Sequence, residues 1–526
     1  MSGDIPGTGS GTVTPTMEIP AAASSLQSAP RQEGRHLLLL RLAGEMGVKS
    51  SRTRRAFLRV LVENVRRALR QAGVEATVRP EWSRLLVETA ASDAARDALS
   101  RVFGVHAVTE VVEVAYASLD DLVSQLLPRF QPLVGEKAFA VRPHRTPETP
   151  FTSEDLARAL GAALLPFAAR VDLSQPEVEV QVWAETGRAF AELDRVPGPG
   201  GLPLGCGGKA LALVSGGFDS PVAAWHVMRR GVTVEVLVCD LGGCGQVDAA
   251  LVTARELVRR WAPGQEVPAH VVDLAPLVAA LVDRVPGRMR QVLLKRAMYR
   301  VGEVLAREIG AEALVTGECL GQVSTQTLRN LATCEAVCSR PVLRPLIGLD
   351  KNEIMEQARR LGTYEASSQV REHCSIAEGQ VVTRASVAGA EAAERLLPQE
   401  LTSDEWAEAA VATRRIIPSL ADWRPAALPE HVVDRVPEGA MVVDVREPEE
   451  GPSVGELRLP FSRALDSLAE LPPDRPYLLV CARGHRSDLL ARQLRDRGYT
   501  AFSLAGGVGQ LRAALEGRRP AGARPG

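Results

Sequence analysis

The spacing of apolar residues changes several times along the chain, and each change marks a new class of element. Residues 36–42 form an apolar run suited to a strand. Phe57, Leu58, Leu61, Val62, Val65 and Leu69 then recur at the spacing of a buried helical stripe within 51–72. Val74–Val78 and Arg84–Val87 read as two short strands, which makes the front a small α+β layer. The pattern restarts near residue 93. Ala94–Phe103, Leu119–Leu127 and Ser153–Ala169 read as helices, and Ala107–Ala115, Lys137–Arg142, Val178–Val182 and Arg188–Leu193 as strands. This is a second α+β unit, closed by a Pro/Gly-rich linker at 196–208.

The class changes after the linker. Lys209–Val214, Val232–Cys239, Ala269–Val272 and Ala313–Thr316 read as strands. Helices at Pro221–Arg230, Val247–Trp261 and Leu294–Ile309 alternate with them, the pattern of a parallel sheet covered on both faces. Asp350 and Glu353 have the spacing of an N-cap and its reciprocal partner, opening a helix to Leu361. We expect this unit to span 209–391 and a second linker to span 392–424. A last α/β unit, 425–526, has strands at Met441–Val445, Tyr477–Val480 and Ala501–Leu504 and a helix at Ser487–Asp496.

Composition narrows the class. The chain has 526 residues, 45% hydrophobic and 24% charged, which excludes a wholly disordered, collagen-like or coiled-coil protein. Residues 1–34, rich in Gly, Ser, Thr, Pro and Ala, read as a disordered tail. The apolar runs are too short to span a bilayer, and the N-terminus lacks a secretory pattern. The expectation is a cytoplasmic protein with no membrane partner, whose eight cysteines are thiols rather than a disulfide framework. Residues 35–80 hold eleven Lys/Arg against three Glu, whereas residues 391–480 hold nine Arg against eighteen Asp/Glu. A basic front points to a polyanionic partner, with the helix at 51–72, Lys137 and Arg142 as phosphate contacts. Only five basic residues are Lys (Lys49, Lys137, Lys209, Lys295 and Lys351), so a retained Lys marks a place for a compact charge.

Two segments carry chemistry. Ser215-Gly-Gly-Phe-Asp-Ser220 lies between a strand and a helix. Glycine N–H groups and a helix N-terminus there form an anion cradle, and no Lys follows the second Gly as in a GxxxxGK[ST] loop. The hexapeptide resembles the PP-loop of ATP pyrophosphatases, which adenylate a substrate oxygen and let a nucleophile displace AMP. Cys481-Ala-Arg-Gly-His-Arg-Ser487 also lies between a strand and a helix. Loop N–H groups, the helix N-terminus, Arg483, His485 and Arg486 would favour a thiolate there. This segment, with Asp444-Val-Arg-Glu447 and Leu504-Ala-Gly-Gly-Val508, resembles the persulfide-carrying loop of rhodanese domains.

The order of units resembles the tRNA uracil 4-sulfurtransferase (ThiI) family, in its rhodanese-containing form, from about residue 36 to residue 512. Gly135-Glu-Lys-Ala-Phe-Ala-Val-Arg142, Val171-Asp-Leu173, Pro197-Gly-Pro-Gly-Gly-Leu-Pro203, Lys295-Arg-Ala-Met-Tyr-Arg300, Thr316-Gly-Glu318 and Gly321-Gln-Val-Ser-Thr-Gln326 carry it. The implied fold is a ferredoxin-like domain and a THUMP RNA-binding domain, a doubly wound PP-loop domain and a rhodanese-like domain. The implied ATP site uses Leu213, Val214, Ser215, Gly216, Gly217, Asp219, Ser220, Val238, Cys239, Lys295, Gly317 and Gln326, with Mg2+ accompanying ATP. The implied catalytic residues are Asp219, Cys481 and Cys374, the last in Glu372-His-Cys374. Implied partners are tRNA, a cysteine desulfurase as persulfide donor and a thiamine sulfur-carrier protein. The implied reaction is conversion of a tRNA uridine at position 8 to 4-thiouridine. Two other readings stay open: a sulfur carrier dedicated to the thiamine thiazole, and a non-catalytic RNA-binding scaffold. Asp240-Leu-Gly-Gly-Cys244, Cys319 and the C-x₃-C pair Cys334 and Cys338 depart from the family pattern. Trp225 and His226 read as packing residues.

Overall fold

The computed structural model describes residues 35–81, 84–242, 246–323, 325–368, 381–425, 430–461, 463–464, 471–482 and 484–511. From His36 onward the chain is one compact unit built on three sheets.

The first sheet has eight strands: β1 (His36–Leu42), β2 (Ala76–Pro80), β3 (Arg84–Thr89), β4 (Val105–Ala115), β5 (Ala138–Arg145), β6 (Arg170–Val171), β7 (Val178–Glu185) and β8 (Arg188–Pro197). Their order is β2-β3-β1-β4-β8-β7-β5-β6. β4 pairs with β1 on one side and β8 on the other, so the two front units share one continuous sheet. The expected break at residue 93 is not a break in packing. Ala95, Leu99, Val102, Val105 and Val108 share a core with Leu38, Leu61 and Leu85. The helix Ser92–Leu99 and the strand after it therefore complete the first β-α-β-β-α-β layer. The helix Ser51–Gln71, capped by Ser50, buries Leu61, Val62, Val65 and Leu69 as its stripe requires.

The linker read at 196–208 is packed on both sides. A Cβ at Gly198 would lie 2.3 Å from the Val105 carbonyl oxygen, and one at Gly201 would lie 2.1 Å from that of Arg229. Glycine is there because the chain threads between two packed layers, not because it swings. Phe103 belongs to the core of the next unit, with its ring 5.8 Å from Trp225 and 5.7 Å from Trp261.

The second sheet comprises β9 (Lys209–Leu213), β10 (Thr233–Asp240), β11 (Ala269–Asp273), β12 (Ala313–Val315), β13 (Val342–Leu343) and β14 (Arg415–Ile417), in the order β13-β12-β9-β10-β11-β14. It is parallel except for β14, which runs antiparallel along β11. Residues 392–424 are thus not a linker. Glu394 pairs with the buried Arg296 at 2.8 Å and with Arg300 at 2.9 Å. Asp404–Ala412 is a helix, and Ile417 and Leu420 enter the core. The helix Lys351–Leu361 carries the expected Asp350/Glu353 capping box and ends at Gly362, φ +76°.

The third sheet, β15 (Val432–Val433), β16 (Met441–Asp444), β17 (Leu457–Arg458), β18 (Tyr477–Val480) and β19 (Ala501–Leu504), is wholly parallel in the order β15-β19-β18-β16-β17. Among the described residues no helix is long and apolar enough to cross a membrane.

Candidate functional site

The glycine turn sits where β9 and β10 end side by side, with Leu213 paired to Leu237 and the Val214 N–H bonded to the Leu237 carbonyl. This places Val214 beside Val238 and Cys239. The helix after the turn is Asp219–Met228, so it starts two residues earlier than expected and Pro221 is its third residue. Gly216 has φ +88°, a left-handed conformation that needs glycine. The turn is pinned from behind. Ser215 N–H donates to Ser220 Oγ at 3.3 Å, Thr253 Oγ1 to the Gly216 carbonyl at 3.3 Å, and Ser367 Oγ to the Gly217 carbonyl at 3.4 Å. The carbonyls are held, while the Gly216 and Gly217 N–H groups have no protein acceptor among the described residues. Free N–H groups at a helix N-terminus favour an anion.

Gly317, after β12, abuts this helix start. A Cβ there would lie 2.7 Å from Asp219 C and Ser220 N. One residue on, the buried Glu318 gathers a charge network. It accepts from Lys295 Nζ at 2.7 Å, Arg344 Nε at 3.0 Å, Thr316 Oγ1 at 3.2 Å and the Tyr299 hydroxyl. Burial alone would raise the Glu318 carboxyl; Lys295 first, then Tyr299 and Arg344, override it and bring it down to about 2. Lys295 is therefore tethered beside the cradle. Gln326 braces the same loop, its Oε1 accepting the Cys319 N–H at 3.3 Å.

Asp219 accepts from Lys351 Nζ at 3.0 Å and from Gln322 Nε2 at 3.1 Å. Lys351 was noted in the sequence only as a rare lysine; Glu318 and Tyr299 sit inside quoted motifs with no role given. Gln322 likewise sits inside the quoted Gly321–Gln326 motif with no role given, and Arg344 had no signal at all. Cys239, by contrast, is a closed-off thiol that burial pushes up to about 12. Burial likewise pushes Cys319 and Cys334 up to about 11 and Cys338 to about 12. No group of three His, Cys, Asp or Glu able to hold a metal occurs among the described residues. Trp225 is packed as expected, and His226 Nε2 lies 2.7 Å from Gln357 Oε1.

Cys481 follows β18 and is buried. Its Sγ receives the Gly484 N–H at 3.0 Å, at the start of the helix His485–Asp496, and lies 3.5 Å from Ser487 Oγ. The Val508 N–H bonds the Cys481 carbonyl, so the segment after β19 closes over the loop. Arg446 is held by Asp444 at 2.9 and 2.7 Å. Arg486, expected as free positive potential, is paired with both oxygens of Glu450 at 2.6 Å. Arg483, Cys374 and Cys244 lie outside the described residues. Ser367, which bonds the Gly217 carbonyl, lies seven positions before Cys374 in the chain.

On the first sheet Arg52, Arg55, Arg59 and Arg66 are exposed along the helix Ser51–Gln71, and Lys137 is exposed. Arg142 is instead engaged by the Leu173 carbonyl at 2.5 Å and by Glu179.

Three family profiles match the chain: the ferredoxin-like domain of ThiI at 37–109, the THUMP domain at 116–190, and the thiamine biosynthesis protein ThiI at 205–397. The chain is 39% identical to the tRNA sulfurtransferase of Desulfurococcus amylolyticus, over 91% of this chain and 99% of that one. It is 37% identical to that of Pyrobaculum aerophilum, over 88% and 95%, and 33% identical to that of Edwardsiella ictaluri, over 88% and 98%. The chain belongs to the tRNA sulfurtransferase family. Among solved structures, a 4-thiouridine synthetase in complex with RNA and bound ATP matches with a TM-score of 0.63 and 30% identity, covering 73% of this chain and 99% of that one. The family's three profiles fall on the first two sheets, with the ferredoxin-like one ending inside β4, where the packing ends the first layer.

Proposed function

We propose that this chain uses ATP and a persulfide to convert uridine 8 of tRNA to 4-thiouridine. The observation that carries the reading is the pinned turn Ser215–Ser220, whose Gly216 and Gly217 N–H groups have no acceptor among the described residues, with Asp219 paired to Lys351 and Gly317, next to the Lys295–Glu318 pair, abutting its helix start. The relatives are named tRNA sulfurtransferases, and the 4-thiouridine synthetase structure holds both RNA and ATP. The turn binds the phosphates, and the strand ends Leu213, Val214, Val238 and Cys239 take the base. Mg2+ accompanying ATP would supply charge neutralisation on the phosphates, with no ligand from this chain assigned to it.

The chemistry is exchange of a poor leaving group for a good one. The uracil oxygen attacks the α-phosphate, and pyrophosphate departs. The terminal sulfur of a Cys481 persulfide, supplied by a cysteine desulfurase, attacks C4 and AMP departs. Cys374 then attacks Cys481 Sγ; the disulfide forms and the new C4=S group is released. A dithiol reductant in the cytoplasm resets the pair. Residues 430–511 act here as a rhodanese-like carrier, a reading supported by the Cys481 loop and by the buried Asp444–Arg446 pair. Its approach to Cys374 uses the span between Leu420, anchored in the second core, and Val432, rather than the longer stretch read as a linker. The front sheet binds tRNA through the exposed arginines of Ser51–Gln71.

Mass spectrometry of tRNA nucleosides after incubation with ATP, cysteine and a desulfurase tests the reading. We expect 4-thiouridine at position 8, dependent on ATP; its absence overturns the proposal. The profile description naming thiamine biosynthesis favours a second reading, sulfur supply to a thiazole carrier protein, which needs Cys481 but not Asp219.

A further inference from the structure

Two buried hydroxyls lie beneath Cys481, one on each side of the loop. Ser487 is in the first turn of the helix His485–Asp496 and Ser503 is in β19, with their oxygens 2.9 Å apart. The acceptors around them are few. The Gly484 carbonyl oxygen is 3.1 Å from Ser487 Oγ and 3.3 Å from Ser503 Oγ, and Cys481 Sγ is 3.5 Å from Ser487 Oγ. The Gly484 carbonyl already accepts the helix bond from the Asp488 N–H at 3.0 Å, so it has one lone pair left. Two hydroxyl protons therefore share one carbonyl lone pair, each other's oxygen and the sulfur.

We propose that Ser503 is a positioning residue for Cys481: it donates to the Gly484 carbonyl and so leaves the Ser487 proton for the sulfur when the sulfur is a thiolate. A hydrogen bond to a charged acceptor is roughly twice as strong as a neutral one, so the thiolate outcompetes the remaining neutral acceptors for that proton. Once Sγ is bonded to a second sulfur its charge is gone, and the Ser487 hydroxyl turns back to the Ser503 oxygen. Among the described residues, Arg446 and Arg486 stay with Asp444 and Glu450 throughout. Without Ser503 the vacated carbonyl lone pair, 3.1 Å from Ser487 Oγ against 3.5 Å for the sulfur, satisfies the Ser487 hydroxyl in the thiol state, so turning to the thiolate gains less.

The inference rests on Cys481 being the sulfur-accepting residue, but its test does not require turnover, so the two can fail separately. The full chain is alkylated with iodoacetamide across a pH range, and the Cys481 peptide is quantified by mass spectrometry. Ser503→Ala should move the alkylation midpoint upward and slow alkylation at neutral pH by about threefold to tenfold. Ser503→Thr keeps a hydroxyl and should restore the wild-type profile. Ser487→Ala should shift at least as far, and the double variant Ser487→Ala/Ser503→Ala should match Ser487→Ala alone, because Ser503 acts only through Ser487. Ser503→Cys, a weaker donor of similar size, should give an intermediate shift and serves if the alanine variant fails to fold. A wild-type profile for Ser503→Ala or Ser503→Cys, or additive shifts in the double variant, overturns the proposal.

Discussion

The chain builds two anion cradles from the same parts, a parallel strand, a tight loop and a helix N-terminus, and finishes them in opposite ways. At Ser215–Ser220 the cradle is rimmed by charged pairs, Asp219–Lys351 and Lys295–Glu318. At Cys481 the sulfur meets a backbone N–H and one hydroxyl, while among the described residues Arg446 and Arg486 are paired with Asp444 and Glu450. A triphosphate carries several charges and needs cations that can leave one partner for another. The proposed sulfur centre carries a single charge, which a backbone N–H at a helix N-terminus and a hydroxyl can stabilise.

The sharpest way to break this comparison is to remove each centre in turn. Asp219→Ala should fold, load persulfide on Cys481 and bind tRNA, yet give no 4-thiouridine by nucleoside mass spectrometry. Cys481→Ser should show the reverse: tRNA-dependent pyrophosphate release from ATP, with no persulfide detectable. Cys374→Ser should load Cys481 and stall, and peptide mapping of the unreduced wild type after one turnover should show a Cys374–Cys481 bridge.

Gly317→Ala comes next. Its Cβ would lie 2.7 Å from Asp219 C and Ser220 N, so the helix start must shift. Overpacking of this kind costs about 1–3 kcal/mol, and misplacement at the cradle should lower kcat about 100-fold. Persulfide loading should be unchanged.

A smaller effect is set by pH. The Glu318 carboxyl, with an ordinary value of 4.5, is brought down to about 2 in the folded chain. A depressed carboxyl contributes stability above its unfolded value and loses it as pH falls through the folded one. The contribution is on the order of 3 kcal/mol, fading between pH 4.5 and 2. Glu318→Gln should flatten the acid limb of a thermal-unfolding profile over that window; an unchanged limb breaks the assignment. Smallest is Thr253→Val, which removes one hydrogen bond to the Gly216 carbonyl. About 1 kcal/mol is at stake, read as a roughly fivefold higher KM for ATP with Cys481 loading untouched.

Both cradles were legible in the sequence because each is a contiguous run of glycine and polar residues set between a strand and a helix. Their finish was not. Lys351 lies 132 positions from Asp219, and no local pattern joins them. Glu318 and Arg344 meet only because β12 and β13 pair. The fold classes followed from hydrophobic period, but two boundaries did not. Residue 93 looked like a restart because a helix begins there, whereas the sheet runs on through β4. Residues 392–424 read as a linker because β14 is only three residues long, too short to show a period, and Glu394 reveals its ion pairs only once folded against Arg296 and Arg300.

β14 also has a bearing on how such a chain can be cut or lengthened. A parallel layer ending at β11 would present a row of unsatisfied backbone groups, the template on which molecules stack edge to edge and precipitate. The antiparallel Arg415–Ile417 covers that row. Ending the chain before residue 415 bares it, whereas ending it beyond Leu420 leaves it sealed. The seam past that residue is where the unit built on the third sheet can be fused to the first two sheets, or removed from them, without making the remainder sticky.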